Sequence, residues 1–450
     1  MSLNSTASQQ LTSLIRSANQ SVPVSEAFSR ISEEVPPSGD KPLLLYIHIP
    51  FCSTKCTFCD WVTDIPVTQL RSGPSVRKQY VEALCAQIRA VGPQLLSLGY
   101  DARYMYWGGG TPSKLEAEEL IQIMSALKQA FDLSHIDEHT METSPETLTL
   151  DKLRAIRALG INRISMGVQS FDDHELRRAA RGHSSKQAVE AVGLIRQAGF
   201  ENLNLDLIIG FPDQQLDTVE KTFKQTIELA PEHVTVYVYR SVPETAMGKQ
   251  VNSGHKKAAS LKQMFDYYNL TKFLLEAAGY FEYSIGYFAK DPAYLFKGEE
   301  YYFAMKGDYI GLGSGASSIV GHHILRNLSG DLHRFTENPT HFDICEKFSP
   351  DRIEETFPTL RLTMTTDVGI NYENFRRLFG FDFSEALTHP AIKGLMNYYR
   401  HCGTDFRETE HNLYVTEESK RGSYIMTFLT AYIPFKERGA KLDEAFNLLK

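Results

Sequence analysis

The sequence predicts an α/β protein built of repeated βα units with parallel strands, followed by a small α+β module. Three observations predict it. Six apolar runs of strand length alternate with five amphipathic stretches of helix length, glycines close several of those helices, and a polar residue or glycine ends nearly every strand. At 450 residues the chain also exceeds the roughly 250 to 300 at which one core stops growing.

Residues 1–40 are rich in Ser and Gln and carry Pro36, Pro37 and Gly39, which reads as a partly disordered arm with no chemistry. The expected strands are 43–49, 103–107, 139–143, 163–168, 204–209 and 234–239, and the expected helices 75–91, 116–131, 149–159, 184–198 and 215–229. Gly99, Gly160 and Gly199 each follow a helix and supply the left-handed residue that ends it. Ser184 with Gln187 forms a capping box opening the fourth helix. His48, Gly108-Gly109-Gly110, Glu142, Gln169, Asp206 and Arg240 close the strands, and in an α/β barrel that rim carries the active site. A long helix then ends at Gly279, a strand-rich segment runs through Gly311-Leu-Gly313-Ser314-Gly315, and helices 371–380 and 391–400 precede short strands within 406–415 and an apolar stretch at 424–433. The expected organisation is an arm over 1–40, a barrel over 41–290, a strand-rich connection over 291–350 and a terminal module over 351–450.

Lys and Arg total 47 against 55 Asp and Glu, so the chain carries a net charge of −8 and no basic field suited to nucleic acid. Its apolar runs, such as 43–47 and 207–209, fall short of the ~20 residues that span a bilayer. The first residues do not read as a signal peptide, and a cytoplasmic location is expected.

Three of the six cysteines lie within eight residues, as Cys52-Ser-Thr-Lys-Cys56-Thr-Phe58-Cys59. Cys85, Cys345 and Cys402 are scattered singly and read as buried small hydrophobes. A structural zinc site wants four ligands, and only His48 offers a fourth. A [4Fe-4S] cluster fits better, since three thiolates hold three irons and leave the fourth open.

The Cys-x3-Cys-x2-Cys spacing after the first strand, with Phe58 before the last cysteine, resembles the cluster motif of radical S-adenosylmethionine enzymes. More closely, Tyr46-Ile-His-Ile-Pro-Phe-Cys52, Trp107-Gly-Gly-Gly-Thr111-Pro, Ser165-Met-Gly-Val-Gln169-Ser-Phe and Asp206-Leu-Ile-Ile-Gly-Phe-Pro resemble the oxygen-independent coproporphyrinogen oxidase superfamily. The resemblance covers about 43–435 and implies a partial (β/α)6 barrel with a winged-helix-like lid that covers it and excludes water. It implies Cys52, Cys56 and Cys59 as cluster ligands, Tyr46 packed beside the cluster, and Gly108, Gly109, Gly110 and Thr111 approaching S-adenosylmethionine. Glu142, Gln169, Arg181 and Asp206 match positions that contact that cofactor, although Arg181 in Arg-Arg-Ala-Ala-Arg181 also reads as a solvated helix face.

That superfamily also holds heme chaperones, heme-degrading methyltransferases and class C radical methylases and cyclopropanases. Asp60 and Trp61 follow Cys59 where a coproporphyrinogen oxidase carries a further cysteine, and Gly298-Glu-Glu-Tyr301-Tyr-Phe303 lacks the histidine expected of a heme chaperone. His322 and His323 lie about twenty residues on and read as packing residues. The expected activity is therefore methylation or cyclopropanation of an sp² carbon in a flat or unsaturated small molecule, with a second S-adenosylmethionine as carbon donor. Gly311, Gly313 and Ser314 would hold that second molecule through exposed backbone donors, and Tyr239 and Arg240 would stand in the mouth. An electron donor such as flavodoxin or ferredoxin, and a partner methyltransferase, complete the expectation. The alternative is a heme chaperone or porphyrin-processing enzyme.

Overall fold

The computed structural model describes residues 21–37, 41–59, 74–302, 306–350, 369–401 and 404–416. From the N-terminus, β1 (Val22–Pro23) precedes β2 (Lys41–Ile49), β3 (Tyr100–Gly109), β4 (Glu138–Thr143), β5 (Arg163–Gln169), β6 (Asn202–Ile209) and β7 (His233–Val238). Strands β2 to β7 lie side by side in chain order and all pair in parallel. They match the six expected strands.

Side-chain alternation gives the sheet its two faces. In β2, Leu43, Leu45, Ile47 and Ile49 are fully buried in the core that also takes Val81, Leu84 and Ile88 of the Pro74–Ser97 helix. The alternate Tyr46 stacks on Tyr106 of β3 with ring centroids 6.1 Å apart. Tyr237 of β7 lies within electrostatic reach of Glu142 on β4 and Asp206 on β6. Phe296 seals the open side: its ring meets Tyr106 at 5.4 Å, the Arg163 guanidinium lies 4.7 Å over it, and its N–H donates to Tyr283 Oη.

The strand-rich segment continues this sheet. β8 (Phe281–Ser284) and β9 (Tyr287–Ala289) extend it antiparallel beyond β7, while β10 (Asp308–Leu312) joins the other flank parallel to β2. β11 (Ser317–Val320), β12 (His323–Asn327) and β13 (His341–Lys347) follow, with β1 at the edge. β10 is a seventh parallel strand that the sequence periodicity did not separate from its antiparallel neighbours.

Two expectations need correction. The arm is ordered over 24–32: helix Val24–Ser32 buries Val24, Ala27, Phe28 and Ile31 in the main core, the i, i+3, i+4, i+7 stripe of an amphipathic helix. The terminal module, as described, does not cover the mouth. Strands β14 (Ile370–Asn371), β15 (Phe406–Glu408) and β16 (Asn412–Val415) form a separate sheet, packed with helices Tyr372–Phe379 and Pro390–His401 around Phe375 and Phe379. Arg377 Nη1 binds Asp308 Oδ1 at 2.8 Å, and Asp308 pairs in register with Leu43. This anchor lies at the start of the strands, whereas the cysteines follow their ends. The side chains of Tyr398 and Tyr399, the stretch 424–433 and Cys402 lie outside what is described.

Candidate active site

The cysteine loop leaves β2 and docks on a helix end. Helix Asp173–Arg178, capped by Asp172, is too short to show apolar periodicity and was not among the expected elements. Its end leaves carbonyls that no helical turn can satisfy. The loop satisfies them: Thr57 N–H donates to Ala179 O at 3.0 Å, Thr57 Oγ1 to Arg178 O at 3.0 Å, and Thr54 Oγ1 to Ala180 O at 3.3 Å. Phe58 packs on Phe211 at 5.6 Å, and Met247 N–H donates to Thr57 O. The residues between the cysteines therefore position them.

Ala180 is left-handed, at φ 54°, and turns the chain so that Arg181 points back into the loop. Arg181 Nη1 donates to Cys56 Sγ at 3.2 Å, and Nη2 donates to Gly167 O at 2.5 Å and Ser144 Oγ at 3.0 Å. The solvated helix face is thus corrected: Arg181 is partly buried at the loop, beyond the helix end.

The two carboxyls stand on neighbouring parts of the sheet, Glu142 next to last in β4 and Asp206 three residues before the end of β6, rather than closing their strands as expected. Tyr106 Oη donates to Glu142 Oε1 at 2.7 Å, and Gly109 N–H to Oε2 at 3.1 Å. Burial drives the Glu142 carboxyl up to about 7, with the Asp206 charge adding to this and the Tyr106 bond opposing it. Asp206 accepts from Asn204 Nδ2 and Ser165 Oγ, and burial raises its carboxyl as well. Gln169 adopts φ 71°, a strained conformation for a residue with a side chain. Its Nε2 and Arg181 Nη2 both lie over Gly167. Glu142, Gln169, Arg181 and Asp206 are thereby brought to one mouth.

The triple glycine is explained by the protein itself. A Cβ on Gly110 would meet Phe51 O at 2.7 Å, and one on Gly109, at φ 108°, would meet the His48 ring at 2.5 Å. This close approach lets Gly110 N–H and Thr111 N–H bind Ile49 O and Phe51 O, tying β3 to the cysteine loop, while Thr111 Oγ1 lies 3.9 Å from Cys52 Sγ. His48 is spent here: its Nδ1 lies 3.2 Å from Tyr46 Oη, and burial lowers its pKa to about 4. Cys85 and Cys345 are buried at 1% and 6% exposure, away from the loop.

Other expectations fail on contact. Gly311, Gly313 and Ser314 are buried, and their N–H groups are already given to Ser318 Oγ, Gln87 Oε1 and Tyr80 Oη, so they do not expose donors for a second cofactor. Tyr239 turns away because β7 ends at Val238; it packs on Phe211 beside Phe58, and Arg240 follows it, partly buried. Tyr237 instead is the β7 tyrosine within electrostatic reach of both carboxyls. His323 Nδ1 pairs with Gly321 O and His322 Nδ1 lies 3.4 Å from Leu378 O, near the terminal module.

The model of the Radical SAM superfamily matches residues 46–226, which hold the loop, the glycines, both carboxyls and Arg181. The heme chaperone HemW of Lactococcus lactis is 30% identical over 365 residues, 79% of this chain and 90% of that protein. The chain belongs to the radical SAM superfamily. Within it, the Escherichia coli HemW is 34% identical over 62% of this chain and 70% of its own length. The solved structure of E. coli coproporphyrinogen III oxidase superposes with a TM-score of 0.70 at 23% identity, covering 92% of this chain and 96% of that one, which establishes the shared fold.

The superfamily implies a [4Fe-4S] cluster and S-adenosylmethionine, and the residues fit the cluster. All three loop cysteines are partly exposed, with an arginine donating into one sulfur. Three thiolates at this spacing suit a cluster, in which each thiolate meets its own iron, better than a structural zinc site, which wants four ligands on one ion. Among the described residues, no helix is long and apolar enough to cross a membrane. Sequence reasoning missed Tyr106, Ser165, Asn204 and Tyr237, although all share strand parity with Glu142 or Asp206.

Proposed function

We propose that this chain cleaves S-adenosylmethionine reductively at a [4Fe-4S] cluster held by Cys52, Cys56 and Cys59, and that it handles a tetrapyrrole, heme or a porphyrinogen, at the barrel mouth. The observation that carries the first part is the convergence of Arg181 on Cys56 and of Glu142 on Gly109 at the same strand ends. When bound, the cluster supplies an electron, from a flavodoxin- or ferredoxin-type donor, that breaks the sulfur–C5′ bond to give a 5′-deoxyadenosyl radical. Glu142, whose carboxyl sits at about 7, is available both to accept and to donate a hydrogen bond near neutral pH. Asp206 and Gln169 offer an acceptor and an amide to ribose hydroxyls. Phe296, Tyr106 and Tyr301 pack into the interior below, which would exclude water beneath a flat macrocycle held at the mouth.

The tetrapyrrole reading is supported by likeness to heme chaperones over most of their length. A second reading, methylation or cyclopropanation by way of a second S-adenosylmethionine and with a partner methyltransferase, is favoured by the absence of histidine from Gly298 to Phe303. Its second cofactor would then bind at the mouth near Tyr237, since the Gly311–Ser314 donors are spent. Anaerobically reconstituted protein given dithionite and methyl-labelled S-adenosylmethionine should form 5′-deoxyadenosine, and its absence would refute radical cleavage. Titration with heme should give a saturable Soret band without transfer of label. Label found in a product, with no Soret band, would replace the first reading by the second.

A further inference from the structure

We infer that Arg181 is a positioning residue that sets the reduction potential of the cluster through Cys56, independently of any contact it makes with S-adenosylmethionine. The inference rests on the reading that Cys56 is a cluster ligand. A hydrogen bond to a ligating sulfur, with the full positive charge of a guanidinium behind it, stabilises the reduced cluster, which carries one more negative charge than the oxidised one. The donor is fixed rather than mobile. Nη1 is committed to Cys56 Sγ at 3.2 Å and Nη2 to Gly167 O and Ser144 Oγ, so the planar fork is held on both arms. The backbone is fixed as well, since Arg181 N–H closes on Leu176 O after the left-handed Ala180. Nε is buried and, among the described residues, unpaired, so the cation has little solvent to screen it.

The structure also holds a counterweight. Ser144 Oγ, the acceptor of Nη2, donates in turn to Glu146 Oε2, and His183 Nδ1 lies 3.4 Å from the same oxygen. Burial pushes the Glu146 carboxyl up, but His183, Ser144 and the Arg181 charge together hold it at about 2, so it is anionic at neutral pH. Glu146 does not touch the cluster ligands in any bond described, yet its charge partly offsets that of Arg181. Removing the cation and removing the anion should therefore move the potential in opposite directions.

The test is an EPR-monitored redox titration of the full reconstituted chain without S-adenosylmethionine. At the wild-type midpoint, Arg181→Met should lower the ratio of reduced to oxidised cluster at least tenfold, which for one electron is a midpoint about 59 mV more negative. Arg181→Lys should fall between, and Glu146→Gln should shift the midpoint to more positive potential. An unchanged midpoint in an iron-replete Arg181→Met protein overturns the inference, and so does a shift of the same sign in Arg181→Met and Glu146→Gln. Should Arg181→Met fail to load iron, Glu146→Gln decides: a positive shift upholds the inference, and no shift or a negative one refutes it. Wild-type protein that binds neither iron nor sulfide refutes the cluster reading itself and is told apart by those counts.

Discussion

At the far ends of the parallel strands the cysteine loop is held by single hydrogen bonds across long sequence separations, Thr57 to Ala179 and Arg181 to Cys56, whereas at their starts the terminal module is held by a packed apolar core around Phe375 and Phe379. The first region keeps its cysteines partly exposed and tolerates left-handed Gln169 and Ala180; the second buries Phe375 and Phe379 completely and is tied to the barrel by the ion pair of Arg377 with Asp308. Direction comes from polar bonds, and stability from area removed from water. A site that must admit a cofactor cannot bury its working atoms, so it is positioned by bonds with defined angles.

If the two ends are separable in this way, Cys56→Ala should abolish cluster iron and 5′-deoxyadenosine formation while leaving the thermal midpoint of the apoprotein unchanged. Cys85→Ala and Cys345→Ala should keep full iron; iron and sulfide counts check all three. Phe375→Ala should cost about 3–5 kcal/mol in denaturant unfolding, the usual loss for an emptied aromatic site. Its iron content should stay at the wild-type level below the transition, and a loss of iron would break the separation.

Glu142 gives a prediction with a sign. Its folded pKa, about 7, lies above the usual carboxyl value, so the folded protein binds the proton more tightly than the unfolded chain. The stability this contributes is complete below about pH 4 and is lost as pH rises through about 7, on the order of 3 kcal/mol in all. Glu142→Gln should flatten that part of the apoprotein stability profile, and an unaltered profile would place the titration elsewhere. The smallest effect is expected on the exposed face of the Ser185–Gln197 helix, where a Cβ on Gly193 meets nothing within 4 Å. Gly193→Ala should stabilise by about 1 kcal/mol, read as a raised denaturant midpoint with no change in iron.

The six parallel strands, their connecting helices and the cysteine ligand set were legible because each rests on a local pattern: alternation, a three-to-four spacing, or a Cys-x3-Cys-x2-Cys run. The amphipathic stripe Val24, Ala27, Phe28, Ile31 was equally legible, yet the Ser-rich surroundings and Pro36-Pro37 masked it. Gly311 and Gly313 misled for a different reason. A glycine-rich turn looks the same in sequence whether its N–H groups face solvent or are taken up inside, as here, where Gly311 donates to the nearby Ser318 and Gly313 and Ser314 donate to Gln87 and Tyr80, more than two hundred residues away. Tyr239 misled because one residue decides where β7 stops, and a side chain past that point leaves the strand's alternation.

The sequence by itself determined the superfamily, the parallel α/β architecture and the three sulfurs, since these depend on residue types at short fixed spacings. Only the tertiary structure decided that Arg181 donates to Cys56, that Thr54 and Thr57 cap a six-residue helix, that Tyr237 comes within electrostatic reach of the carboxyls, and that the described part of the terminal module is tied to the strand starts. The physical reason is the range of the interactions. Periodicity reports which face of an element is apolar, but a hydrogen bond between residues 125 apart reports how those faces are turned toward one another, and that is set by the packing of the whole sheet.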